Sequence, residues 1–252
     1  MTPTPDERVR MERAHVHAWP AFRTERIEGW LWRSSGGGSQ RANSVSTVEF
    51  TGRDMDAAID TVEARYRAAG AVARFHTFDE TQPVLLADRL QARGYRPSEA
   101  TITMFKRPLP GPAPEDVDTR DAAWPGWIET YTGEITPNRR AVTTQILATI
   151  PAPRRFFGCR RDGGIIATAL CVISYGCAVV ECVATRADAR RQGAAVAVMQ
   201  ALEVWAATQP VDLLGLQVVS TNTPAIRLYE RLGFSPGATN RFWVRDLSTL
   251  AA

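Results

Sequence analysis

The chain is poor in the residues that metal and nucleophile chemistry most often use. It has three histidines, His15, His17 and His76, all in its first half, and four cysteines, Cys159, Cys171, Cys177 and Cys182, all in its second. No two cysteines form a CxxC pair, and His15 and His17 are too few to ligate a metal. Cysteines scattered through apolar, strand-like stretches read as buried free thiols, which suits a reducing cytoplasm. The chain has one lysine, Lys106, and it lies outside any GxxxxGK[ST] motif, so a P-loop is excluded. A GxGxxG turn opening a βαβ unit is missing too, which excludes the dinucleotide fingerprint. No stretch approaches the roughly 18 apolar residues of a membrane helix. The opening "MTPTPDERVRMERAHVHAW" lacks the apolar core of a signal peptide. An excess of one charge is also lacking. The formal net charge is +3, with 16 basic and 14 acidic residues up to position 110 and 14 and 13 after it. That balance disfavours a nucleic-acid partner. The expectations are a cytoplasmic protein with no metal, no nucleic-acid partner and no membrane association.

What is present suits a sizeable folded core, since 44% of the 252 residues are apolar. A proline-rich stretch, "RPLPGPAPEDV" (107–117), can continue neither a helix nor a central strand and divides the chain. Before it, "RIEGWLWRSS" and "RANSVSTVEF" read as strands joined by the loop "SSGGGSQ". Residues 53–70 read as a helix with Met55, Ile59, Val62, Tyr66 and Ala69 at helical spacing and Gly70 as its cap. A strand, a helix and a strand follow. After the proline stretch come two helices and a three-strand antiparallel meander with turns near Asp162–Gly164 and Tyr175–Gly176. A helix over 193–209, the strand "LLGLQVV", the helix "TPAIRLYERLG" and a last strand complete the pattern. This is an α/β (α+β) composition with a mixed, mostly antiparallel sheet. The halves also echo each other: "LADRLQARGYRPSEATITMF" resembles "IRLYERLGFSPGATNRFWV". That echo suggests two tandem units, 1–110 and 116–252.

The most informative stretch is "ADARRQGAAVAV" (187–198), which follows an apolar strand and opens an alanine-rich helix. A helix start leaves backbone N–H groups without helical partners, and the macrodipole adds partial positive charge there. The result is an anion site suited to phosphate. Small residues at Gly193, Ala194 and Ala195 permit close approach, and Arg190 and Arg191 add charge. A solvated arginine pair before a small-faced helix is the competing reading.

Arg190-Arg191-Gln192-Gly193-Ala194-Ala195 fits [QR]-x-x-G-x-[GA], the acyl-CoA signature of the GNAT acetyltransferase superfamily. "VSTNTPAIRLYERLGF" (219–234) is similar to that family's S-x-N-x-x-A-x-x-L-Y-x-x-x-G-F segment. The resemblance covers about 116–246 and implies the GNAT fold, with acetyl-CoA as cosubstrate and no metal. It implies that backbone N–H groups from Arg191 to Ala195, Gln192 among them, cradle the pyrophosphate, and that the pantetheine arm pairs with backbone near Val183 and Thr185. It places Asn222 against the cofactor arm and Tyr229 as the acid that protonates the departing thiolate. A neutral phenol suits that task; a packing tyrosine is the alternative. Pro224 then opens a helix with Thr223 as its N-cap.

Glu181 lies in the strand before the turn, two and four residues ahead of Val183 and Thr185, so the three are expected on one face. Desolvation is expected to raise its pKa and suit it as general base; a structural carboxylate paired with an arginine is the alternative. The first half lacks a matching turn, because "RAAGAVA" (67–73) follows a helix and has Val72 where Gly or Ala is required. It is expected to be a degenerate GNAT-like unit that walls the acceptor pocket. Trp30, Trp32, Arg33, Arg41 and Asn43 are its candidates for acceptor recognition, against a plain packed hairpin. The functional expectation is direct acetyl transfer from acetyl-CoA to a primary amine, on a small molecule or a peptide. The alternative is a non-catalytic acyl-CoA-binding sensor. The acceptor and the oligomeric state are left open.

Overall fold

A computed structural model describes residues 2–247. Helix α1 (Pro5–Ala18) opens the fold, where the sequence pattern predicts no element. Its start is set by a capping box: the Thr4 hydroxyl accepts from the Glu7 N–H while the Glu7 carboxylate accepts from the Thr4 N–H, with Pro5 at the first turn. Strands β1 (Arg23–Ile27) and β2 (Trp30–Ser34) form a tight hairpin within what reads as one strand. The glycine-serine loop then leads to a 3-10 turn (Arg41–Asn43) and the short β3 (Val45–Ser46). Helix α2 (Met55–Ala68), β4 (Ala73–Phe78), α3 (Leu86–Ala92), β5 (Arg96–Pro97) and β6 (Thr101–Lys106) complete the first half.

The second half opens with β7 (Val117–Arg120), α4 (Pro125–Gly133) and α5 (Pro137–Thr149). The expected meander follows as β8 (Arg154–Arg161), β9 (Gly164–Ser174) and β10 (Cys177–Thr185). Its turns lie where expected, with Asp162, Gly163, Tyr175 and Gly176 all at positive φ. Then come α6 (Ala194–Ala206), β11 (Leu213–Val219), α7 (Thr223–Arg231) and β12 (Ser235–Arg245).

The strands form one sheet in the order β1-β2-β3-β4-β12-β6-β11-β10-β9-β8-β7, with β5 also on β12. The proline-rich stretch therefore divides the chain but not the sheet. Strand β6, from the first half, lies between β11 and β12; β12, from the second half, lies between β6 and β4. Each half thus completes the other. Helix α1 also crosses over, packing on β9, β10 and β11 of the second half. It shares a core with α4 and α5 that includes Met11, Trp19, Trp127 and Leu147. Helices α6 and α7 cover the opposite face, around Val198, Leu202, Leu216 and Phe234. Helices α2 and α3 enclose a third core, which holds Trp30, Trp32, Tyr66 and Phe75.

The echo seen in sequence has a counterpart in local geometry. Gly94 after α3 and Gly233 after α7 both lie near φ +85°, at +82° and +86°. The next residue, Tyr95 or Phe234, donates its N–H to the carbonyl five residues back, Leu90 or Tyr229. Both helices end with the same glycine-based cap and lead into adjacent, antiparallel strands. All four cysteines are buried free thiols.

Candidate functional site

Strands β10 and β11 are parallel neighbours only at one end. Cys177, Ala178 and Val179 pair with Leu213, Leu214 and Gly215. Beyond that point β10 stays with β9, β11 stays with β6, and the two separate. The cause lies in β10: its register with β9 slips between Glu181 and Ala184, where two residues face one. Cys182 sits at φ +56°, and its carbonyl accepts from the Thr168 hydroxyl at 3.0 Å. A cysteine at positive φ is held there only by its surroundings.

The bulge corrects one expectation. With an extra residue between them, Glu181 shares a face with Ala184, not with Val183 and Thr185. Glu181 points to the face covered by α1, and Val183 packs against the core under α6 and α7.

The gap between the strands is a cleft of about 1000 Å³. Its walls include Val183, Thr185, Asn222 and Tyr229, and one end reaches the turn at Arg190, Arg191, Gly193, Ala194 and Ala195. That turn is built as an anion site requires. Arg191 at φ +62° and Gly193 at φ +85° swing the chain into α6, and Gly193 is an N-cap with no side-chain cap. The first N–H groups of α6 therefore have no side chain closing them off.

The side chains of this turn divide into two groups. Gln192 stabilises the loop itself, its Nε2 donating to the Asp188 carbonyl at 3.1 Å and its Oε1 accepting from Arg161 at 2.6 Å. Arg190 reaches back to Glu134 at 2.5 Å rather than toward the helix start. Arg191 is exposed at the cleft mouth. Of the two arginines, it is the one available to an anion.

Tyr229 is buried on α7, its ring edge-on to Phe234 with centroids 6.0 Å apart. Burial, aided by the charge of Glu181, raises its pKa to about 12, so the phenol keeps its proton at neutral pH. Asn222, not Thr223, is the N-cap of α7; its Oδ1 accepts from the Ala225 N–H at 3.3 Å. The amide nitrogen of Asn222 is left for the cleft.

Glu181 follows the alternative reading, a structural carboxylate paired with an arginine, and not that of a general base. Arg41, from the first half, grips it with both terminal nitrogens, at 2.6 and 2.5 Å. His15 Nδ1 lies 3.6 Å away. Burial would raise the carboxyl pKa, but the charge and hydrogen bonds of Arg41, with His15 behind them, hold it at about 2. The raised pKa expected of a general base is reversed. The sequence of β10 shows a lone acid among apolar residues; its partner lies 140 residues away.

A second cavity of about 660 Å³ adjoins the cleft and shares Glu181, Gln217, Val219 and Arg139 with it. Its far walls come from the first half, through the glycine-serine loop, Arg41, Arg74 and His76. A buried polar network lies behind it. Glu12 on α1 accepts from Asn240 at 2.8 Å and from Gln217 at 3.1 Å, and lies 3.1 Å from His76. Of the candidates in the first half, Trp30 and Trp32 are core, and Arg33 is buried, donating to the carbonyls of Ser44, Val16 and Trp19. Asn43 braces the loop by bonding Ser35, Gly37 and Ser39, and Arg41 hydrogen-bonds a carboxylate of the second half. The sequence singles out none of Glu12, Arg74, Gln217 and Arg139, and gives His15 and His76 no role in the site. The Thr4–Glu7 capping box was the available signal for α1, which carries two of them.

The geometry and the two motifs resemble those of the GNAT acetyltransferases, which transfer acyl groups. Residues 118–234 match the model of the acetyltransferase (GNAT) family. An uncharacterized N-acetyltransferase of Bacillus subtilis, YobR, is 25% identical over 95% of this chain and 99% of its own length. A GCN5-related N-acetyltransferase from Kribbella flavida has the same fold, with a TM-score of 0.70 at 20% identity over 96% of each chain. So does a tandem GNAT protein from the clavulanic acid biosynthesis pathway, with a TM-score of 0.64 at 13% identity over 97% of each chain. Among the described residues there is no group of ligands able to hold a metal and no helix long and apolar enough to cross a membrane.

Proposed function

We propose that the chain is an N-acetyltransferase that moves an acetyl group from acetyl-CoA to an amine held in the second cavity. The observation that carries this is the separation of β10 from β11, which ends at the uncapped, left-handed glycine start of α6. The N–H groups from Arg191 to Ala195 bind the pyrophosphate, with Arg191 as the nearest mobile cation. The pantetheine arm takes the edges of β10 and β11 that no strand covers, near Val183 and Thr185, with Asn222 opposite. The amine nitrogen attacks the thioester carbonyl, the carbon–nitrogen bond forms and the carbon–sulfur bond breaks. Tyr229 gives its proton to the leaving thiolate, and the proton that the attacking nitrogen sheds returns to the Tyr229 phenolate through water in the cleft. Holding both substrates in adjoining cavities supplies proximity. Glu181, held ionised by Arg41, anchors the wall between the cavities and takes up a proton poorly at neutral pH. The amine therefore reacts as its free base, and the pH dependence follows the acceptor's own pKa.

The first half is a degenerate unit in this reading, residues 1–110 serving the catalytic unit 116–252. Its parallel pair β3 and β4 flanks α2 as β10 and β11 flank α6. The start of α2, however, is capped by the Asp54 carboxylate, with Asp56 in the first turn. Those charges fill the anion site and repel phosphate. Leu90 also stands where the second half has Tyr229 in the shared cap geometry.

A non-catalytic acyl-CoA sensor is the second reading, and the locked Glu181 is the observation that favours it. Calorimetry with acetyl-CoA on the native chain and on Ala195→Glu tests the cleft. A glutamate in the first turn favours the helix but faces the pyrophosphate, so affinity should fall at least about tenfold with the melting temperature unchanged or higher. Equal affinity in both proteins would refute the assignment. Thiol release with a panel of amines separates enzyme from sensor.

A further inference from the structure

The second cavity has an unbalanced charge. Three guanidinium groups line it, Arg41, Arg74 and Arg139, against one carboxylate, Glu181. Arg41 and Glu181 neutralise each other through two hydrogen bonds. Arg74 and Arg139 have no acidic partner among the described residues. Arg139 projects from α5 on the second half, and Arg74 from β4 on the first, so the two cations come from opposite units of the chain.

Arg74 is the more telling of the two. One of its terminal nitrogens donates to the Asn43 carbonyl at 3.0 Å, while its Nε is buried with no hydrogen-bond partner. An unpaired buried donor is costly, and Arg74 is left with one hydrogen bond to the protein for its five N–H donors. The remaining wall mixes polar groups such as His76, Thr101 and Gln217 with the apolar Trp19, Val219 and Phe242, and it offers a cationic ligand no second carboxylate.

We propose that this cavity selects an acceptor carrying an anionic group in addition to its amine, bound by Arg74 and Arg139 while the nitrogen points toward the cleft. The inference rests on the acyltransferase reading above. It assigns the cavity to acidic amines, with a carboxylate or a phosphate at the far end, and excludes polyamines. Guanidinium forks suit both anions through paired N–H donors.

The test begins with calorimetry of acetyl-CoA on the full chain, followed by thiol release with matched amines. β-Alanine and 4-aminobutyrate are compared with their amides, phosphoethanolamine with ethanolamine, and spermidine stands as the cationic member. The anionic members should exceed their neutral partners in kcat/KM by about tenfold or more, the scale of a charge-assisted hydrogen-bond pair. The better of the two anion types identifies the group. Arg74→Gln should raise KM for the anionic members by about tenfold and leave KM for acetyl-CoA unchanged, and the exposed Arg139→Gln should raise KM for the anionic members by a similar factor. Where no amine turns over, the same pairs are titrated into the CoA complex, and the anionic members should bind and their partners should not. Heat with acetyl-CoA but no preference for the anionic members overturns this proposal alone. Absence of heat with acetyl-CoA overturns the acyltransferase reading and this proposal with it.

Discussion

Replacing Arg41 tests the largest departure of the structure from the sequence. Arg41→Ala removes both hydrogen bonds to Glu181 and leaves a carboxylate of 6% exposure among Cys182, Tyr131 and the core under α1. Breaking a buried pair in this way costs about 3–5 kcal/mol, against about 0–1 kcal/mol for an exposed pair. For a chain of this size that lowers the melting temperature by roughly 6–20 °C. The sign of the pH dependence changes as well. In the native chain the Glu181 pKa is depressed from 4.5 to about 2, so its contribution is complete above pH 4.5 and is lost as pH falls toward 2. Without Arg41, burial acts against the charge with only His15, at 3.6 Å, opposing it. The folded-state pKa then lies above the unfolded one, and this group stabilises the variant as pH falls and loses that effect as pH rises. Urea denaturation of both proteins at pH 7 and pH 5 reads both effects. Arg41→Leu with Glu181→Leu should recover most of the loss, because neither partner is then left buried and unpaired. A loss below about 1 kcal/mol for Arg41→Ala, with parallel pH dependence in the two proteins, would refute the reasoning.

Three further outcomes follow from the same geometry. Tyr229→Phe keeps the ring that packs on Phe234 and removes the proton; kcat should fall about 10²-fold or more while the Kd of acetyl-CoA, measured by calorimetry, changes little. Gly215→Val should destabilise by about 1–3 kcal/mol, because a Cβ there lies 2.5 Å from Cε of the fully buried Met11, whose side chain must repack under α1. Circular dichroism melts measure this, and a neutral result would show that the Met11 side chain yields without cost. Unfolding midpoints in urea should drop steeply between pH 4.5 and 2, since Glu12, like Glu181, has its pKa lowered to about 2, here by His76 and Asn240 acting against burial. Glu12→Gln should flatten that slope, and an unchanged slope would rule out its share.

The amino-acid sequence by itself determined the local features. Hydrophobic period and turn residues placed most strands and helices, as the exact span of "LLGLQVV" shows. The R-R-Q-G-A-A turn marked the candidate anion site, because close approach to a helix start needs small residues in consecutive positions. The N-x-x-A-x-x-L-Y segment marked α7 and Tyr229 for a similar reason, as cap, face and phenol all lie within one short helix. What tertiary structure alone decided lies between the halves. No local pattern shows that β6 and β12 exchange neighbours, since strand order depends on pairing across more than 100 residues. Nor does β10 show that Cys182 takes a positive φ, so the alternation that seemed to align Glu181 with Thr185 is broken by one bulge. The pKa of Glu181 moved opposite to expectation because electrostatics depends on which charge lies within about 4 Å in space. That charge, Arg41, arrives on a loop at the other end of the chain.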